Sequence, residues 1–127
     1  MIMPIRILKS LNIESMNKIV DSERFIKTEN AILEFVTSNS GSISNWHHHG
    51  EYDIFNYIIS GIKEFLLGSN DEQVITAKPG DLVHIAPNTI HRESNPSDQP
   101  TKYLLIRVGT GQSLFLVDDR SIRSTGG

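Results

Sequence analysis

The chain has 127 residues, 38% of them hydrophobic, which suits one domain around one core. A net charge of −3, from 12 basic and 15 acidic residues mixed along the sequence, argues against nucleic acid or an anionic membrane as partner. There is no cysteine, which excludes disulfides and thiolate metal sites, and no run approaches the ~20 apolar residues of a membrane span. With no leader-like run in Met1–Arg6, the expectation is a cytoplasmic protein.

In chain order, Ile5–Leu8 reads as a first strand. Asn12–Val20 reads either as a short helix, with Ile13, Met16, Ile19 and Val20 at helical spacing, or as an irregular arm. Asp21–Asn30 is polar and reads as a loop or hairpin. Ala31–Thr37 is a strand by composition, and Ser38–Ser42 a turn cluster. Ile43–His49 is expected as a strand ending at Gly50. Ile54–Ser60 carries the strongest strand signal, followed by Ile62–Leu67, a turn at Gly68–Asp71 and a return over Gln73–Ala77. Pro79-Gly80-Asp81 is turn chemistry. Leu82–Ala86, Ile90–Ser94, Lys102–Val108 and Gln112–Val117 complete the expected strands, with a Pro-rich loop at Asn95–Pro100. Residues 1–30 form an N-terminal arm, about 31–118 the core, and 119–127 a loose tail. Many short strands separated by turn signals predict an all-β sandwich or barrel.

Chemistry concentrates in Trp46-His47-His48-His49-Gly50-Glu51-Tyr52-Asp53, which holds three of the five histidines. Neutral imidazole is the commonest side-chain metal ligand. In a strand alternate side chains share a face, so His47 and His49 point together and His48 points away. His91 is the best candidate for a third nitrogen. The bland alternative is a solvated histidine cluster without a task. His84, alone on an apolar strand, reads as a hydrogen-bonded structural residue or a proton carrier beside a metal. Trp46 and Tyr57 read as packing residues. Arg92 and Arg107 are weaker candidates for holding a carboxylate or phosphate.

These residues resemble the motifs of the cupin superfamily, in its small single-domain form. In the first motif, Gly41 precedes His47 with five residues between them, His47-His48-His49 supplies His-x-His, and Gly61 closes the pattern. In the second, Pro79-Gly80 leads to His91 and then to Asn95. Asn88 stands where the motif has Gly, with the Pro moved to Pro87; Asn tolerates positive φ better than other residues with a Cβ. The motif Glu is also replaced. With three residues intervening after His49 the position is Asp53, and with four it is Ile54. If the more apolar face of that strand lines the interior, Asp53 points inward with Phe55, Tyr57 and Ile59. Asp53 is therefore the first choice of carboxylate and Glu51 the second; three histidines alone are the third possibility.

The resemblance implies a cupin jelly-roll barrel, a homodimer paired through sheet faces or swapped edge strands, and a divalent transition metal held by His47, His49, Asp53 and His91. Iron, manganese, nickel, zinc and copper all suit such ligands. It implies action on a small molecule by oxygenase, isomerase or lyase chemistry. The alternatives are a metal-independent small-molecule binder and a structural or storage barrel; fold alone does not choose.

Overall fold

The computed structural model describes residues 4–13, 20–68 and 73–117. These form eleven strands and no helix: β1 (Leu11–Ile13), β2 (Val20–Lys27), β3 (Ala31–Ser38), β4 (His47–His48), β5 (Asp53–Ser60), β6 (Lys63–Leu67), β7 (Gln73–Ala77), β8 (Leu82–Ile85), β9 (Arg92–Ser94), β10 (Thr101–Val108) and β11 (Phe115–Leu116). A six-stranded sheet runs in the order β1-β2-β3-β10-β5-β8, beside a three-stranded sheet β7-β6-β9 and a pair β11-β4. All pairings are antiparallel. The core joins the two larger sheets: Val36, Ile54, Ile58, Ile85 and Tyr103 from one meet Phe65 and Ala77 from the other. This is the jelly-roll arrangement, in which each sheet hides one face against the other.

Four segments differ from the sequence expectation, one of them Gln112–Val117, where only Phe115–Leu116 is a strand. Ile5–Leu8 is not a strand; Ile5 and Ile7 lie exposed, at 88% and 84%, because no neighbouring strand gives their apolar side chains a face to cover. Asp21–Asn30 is largely the long strand β2, paired with β3 through a bulge at Phe25. Its inner positions, among them Ser22 and Arg24, are polar because they face a cavity and its ion pair, so hydrophobic alternation could not reveal it. The expected strand Ile43–His49 is reduced to a bridge at Ile43 and the two-residue β4. The helix-or-arm question over Asn12–Val20 is answered only at its ends, by β1 and β2, since 14–19 lie outside the described residues, as do 69–72 in the expected hairpin turn and the tail from 118.

Two turns position the site. Gly50 has φ 59°, and a Cβ there would meet the Phe115 ring at 2.8 Å and the Gln112 carbonyl at 2.9 Å. Asn88, also at φ 59°, is the one non-glycine residue with positive φ among the described residues, as expected for its place in the second motif. Its amide N–H donates to the Gly50 carbonyl at 2.8 Å, so the two turns brace each other.

Candidate metal centre

His47 and His91 lie opposite one another and exchange both backbone hydrogen bonds, each 2.9 Å long. Such a pair fixes two side chains on one face at close range. Their rings stand 4.4 Å apart, centroid to centroid. His49 joins them from two positions further along, 4.9 Å from His47 and 5.3 Å from His91. His48 faces the other way, as alternation requires, and stacks on Phe115 at 4.7 Å.

Each of the three imidazoles donates Nδ1–H to a backbone carbonyl: His47 to Asn45 at 2.7 Å, His91 to Thr89 at 2.8 Å and His49 to Ser113 at 2.9 Å. A carbonyl can only accept, so these contacts assign the proton to Nδ1 and turn every Nε2 toward the shared centre. Anchoring of this kind is what metal-binding histidines use to fix tautomer and ring orientation.

The carboxylate at the centre is Glu93. Its Oε2 lies 3.0 Å from Nε2 of His47 and 3.1 Å from Nε2 of His91. The three Nε2 atoms and a Glu93 oxygen lie within 4.8 Å of one another. Glu93 is placed by the same alternation that pairs His47 with His49, since it sits two residues after His91 along β9. That alternation is legible in the sequence, whereas the first motif points to Asp53 on β5.

The structure does not bring Asp53 to the cluster. On β5 the buried face is Ile54, Asn56 and Ile58, and Asp53 points to the opposite side, where its Oδ1 pairs with His84 Nε2 at 2.7 Å. The expected parity is thus inverted: Phe55, Tyr57 and Ile59 form the outer face, and Ile54 lines the interior beside the histidines. A buried Asn among inward-facing isoleucines concealed this, because apolar content alone marked the other face. Glu51 is also occupied elsewhere, accepting a hydrogen bond from Asn88 Nδ2 at 3.1 Å. His84 serves Asp53 and stacks on Phe55 rather than joining the cluster.

Lys63, unremarked in the sequence, is buried behind Glu93. Its Nζ contacts Glu93 Oε1 at 2.6 Å and donates to Asn56 Oδ1 at 2.6 Å, and it lies 3.5 Å from the centre of the Tyr103 ring. One carboxylate oxygen is therefore tied to an ammonium while the other faces the imidazoles. Burial disfavours charge on Glu93, but the Lys63 ammonium first, and then the contacts with His47 and His91, outweigh it and hold the carboxyl well below its usual range. Burial likewise disfavours charge on His47, yet Glu93 raises its pKa above the ordinary 6.5. His49 behaves differently. Burial, reinforced by His47 and His91, pushes it down to about 4 against the attraction of Glu93. It is a neutral ring at physiological pH, and its Nε2 is buried with no hydrogen-bond partner.

A divalent ion fits this donor set. Three imidazole lone pairs and one carboxylate oxygen are borderline ligands suited to first-row transition metals, and His47, His49, His91 and Glu93 would hold one. An ion held there would also give His49 Nε2 the partner it lacks.

Beside the cluster lies a cavity of about 240 Å³. Val36, Ile54, Leu105 and Leu114 line its apolar part, and Glu34, Lys63, Glu93 and Arg107 its polar part. A two-sheet β fold with a histidine-rich centre facing such a chamber is the architecture of the double-stranded β-helix. The cupin domain model matches residues 34–107, and the chain belongs to the cupin family. None of the curated proteins gives a significant match. Among solved structures, a conserved protein with a double-stranded β-helix domain from Klebsiella pneumoniae superposes with a TM-score of 0.69 at 18% identity, covering 84% of this chain and 91% of that one. The polyketide cyclase RemF from Streptomyces resistomycificus gives 0.68 at 17% identity, covering 93% and 90%. A sugar phosphate isomerase from Silicibacter pomeroyi gives 0.66 at 21% identity, covering 87% and 80%. At these identities the likeness concerns the fold.

Proposed function

We propose that the protein is a single-domain metallo-cupin that holds a divalent transition metal through His47, His49, His91 and Glu93 and acts on a small molecule bound in the adjacent cavity. The observation that carries this reading is the buried Nε2 of His49, neutral and without a partner, among two other imidazoles whose Nδ1 atoms are each spent on a backbone carbonyl. Metal-free, such an atom is an uncompensated cost. Four protein ligands leave positions open on a five- or six-coordinate ion, and the bound metal would polarise a substrate oxygen as a Lewis acid. The chain's own residues do the rest. Lys63 holds the Glu93 carboxylate in one orientation. The carbonyls of Asn45, Thr89 and Ser113 hold the imidazoles. The apolar wall of Val36, Ile54, Leu105 and Leu114 excludes water from the ligand. Iron, manganese, nickel, zinc and copper remain the metals this donor set suits, and oxygenase, isomerase and lyase chemistry the reactions.

Metal analysis of protein purified without chelator tests the proposal. About one equivalent of a transition metal per chain is expected, falling to background in His91→Ala that still folds. A folded wild-type protein that takes up no divalent metal at neutral pH overturns it.

We further propose a cytoplasmic homodimer paired through the outer face of β5 and β8. There Tyr57 and Ile59 are 41% and 43% exposed and Leu82, on the sheet's edge strand, 61%. Light scattering is expected to give twice the chain mass, and a monomer at micromolar concentration removes this part.

A further inference from the structure

Arg107 lies on the inner face of β10, opposite Ile54 on β5, and lines the same cavity as His49. The nearest carboxylate, Glu34, is already claimed. Arg24 reaches Glu34 Oε2 with Nη2 at 2.7 Å and with Nε at 2.9 Å, a forked contact that satisfies one charge with another. Arg107 Nη2 stands 3.6 Å from Glu34 Oε1, beyond a direct hydrogen bond. Its Nε is buried and has no hydrogen-bond partner. At the other end of the cavity, Lys63 is neutralised by Glu93. The charges around the chamber therefore leave one guanidinium in surplus, with a donor facing no acceptor.

We propose that Arg107 binds the carboxylate of a small, apolar-bodied organic acid, and that this acid is the class of ligand the cavity takes. Three features select that chemistry. A planar guanidinium matches a planar carboxylate in shape and charge. The lining is mainly apolar, with Val36, Ile54, Leu105 and Leu114 beside a few serines, so the body of the ligand is mainly apolar. A volume of about 240 Å³ lies below the ~300–1,000 Å³ of drug-sized pockets and suits a small molecule. The inference rests on the cavity being the ligand chamber of the proposed metal centre, but the anchoring itself needs only Arg107.

The test uses benzoate and 3-methylbutanoate as probes, their amides as neutral isosteres, and phenyl phosphate as the phosphoryl competitor. Each is titrated into metal-replete and EDTA-treated full-length protein while the arginine Nε–H signals are followed by NMR. The acids are expected to shift one arginine Nε–H signal and to bind at least tenfold more tightly than their amides. Arg107→Gln is expected to lose that advantage while keeping the wild-type metal content, and Arg107→Lys to recover part of it. Equal binding of acid and amide, or unchanged acid binding in a folded Arg107→Gln, overturns the proposal. Phenyl phosphate binding more tightly than benzoate overturns the carboxylate assignment. The wild-type NMR shift needs no variant, so a variant that fails to fold leaves the test standing. Acid binding that needs Arg107 in a protein that takes up no metal sinks the metal reading alone; metal uptake without acid selectivity sinks this one alone.

Discussion

Glu93 serves three partners at once, and its substitution separates two accounts of the site. Glu93→Gln removes the one carboxylate that the described residues place among the imidazoles and leaves buried Lys63 without its counter-ion. Metal affinity is expected to fall about tenfold or more, with a loss of stability of about 3 kcal/mol from the unpaired ammonium. Asp53→Asn should leave metal content at the wild-type level, since Asp53 answers to His84. If isothermal titration instead shows Asp53→Asn losing metal and Glu93→Gln keeping it, the site has been assigned to the wrong strand. The histidines also predict an acid limb. His49 has a folded pKa of about 4 against 6.5 unfolded, so the unfolded chain takes up a proton first as pH falls. Its contribution to stability is complete above pH 6.5 and is lost progressively down to about pH 4. His47, with a raised pKa, runs the other way: its contribution is present below 6.5 and lost as pH rises through its folded value. In EDTA, His49→Phe should therefore flatten the decline of the urea midpoint between pH 6.5 and 4; an unchanged slope would show that His49 is not held neutral.

Individual elements are short here, and their placement depends on turns more than on strand length. β4 has two residues and β9 three, yet both carry donors. Gly50 lets β4 turn while its missing Cβ makes room for Phe115 on β11. Gly50→Ala combines a left-handed backbone with a 2.8 Å clash, and a loss of about 1–3 kcal/mol is expected from the thermal midpoint. At this scale the sequence was partly legible. Ala31–Thr37, Ile54–Ser60, Gln73–Ala77 and Lys102–Val108 declare themselves by β-branched and aromatic content, and each is a strand to within a residue. β2 does not, because its inner side chains serve an ion pair. The two imidazoles of the first motif follow from alternation, the third from the motif spacing, and Glu93 from alternation with His91, but Lys63 behind it depends on β6 and β9 lying side by side, with Phe65 opposite Glu93. No local pattern encodes that adjacency.

Across the whole molecule, the ends of the two motifs are tied together. Gly41 donates to the Asn95 carbonyl and Asn95 to the Ser42 carbonyl, each at 2.9 Å. The buried Asn95 side chain donates to the carbonyls of Ser38, Asn39 and Gln99. The last residue of the second motif is thus a clamp between the sheets rather than part of the site. With donors on β4, on β9 and in the turns beside them, a metal that binds only the folded state should stabilise the entire fold by mass action. At a free concentration 100 times Kd this amounts to about 2.7 kcal/mol. For a chain of this size the thermal midpoint should rise by roughly 4 °C or more. A midpoint indifferent to both metal and EDTA would show that the cluster binds nothing tightly.

The placement of His91 and Glu93 two residues apart has a kinetic consequence. Half of the donor set rides on one short segment, secured by β6 on one side and by the His47 bridge on the other. Fraying of that segment would release a nitrogen and an oxygen together, so the ion's escape rate should track the opening rate of this segment rather than global unfolding. Amide exchange at His91 and Glu93 should slow markedly on loading, in step with the metal off-rate, while exchange in β3 and β10 stays put.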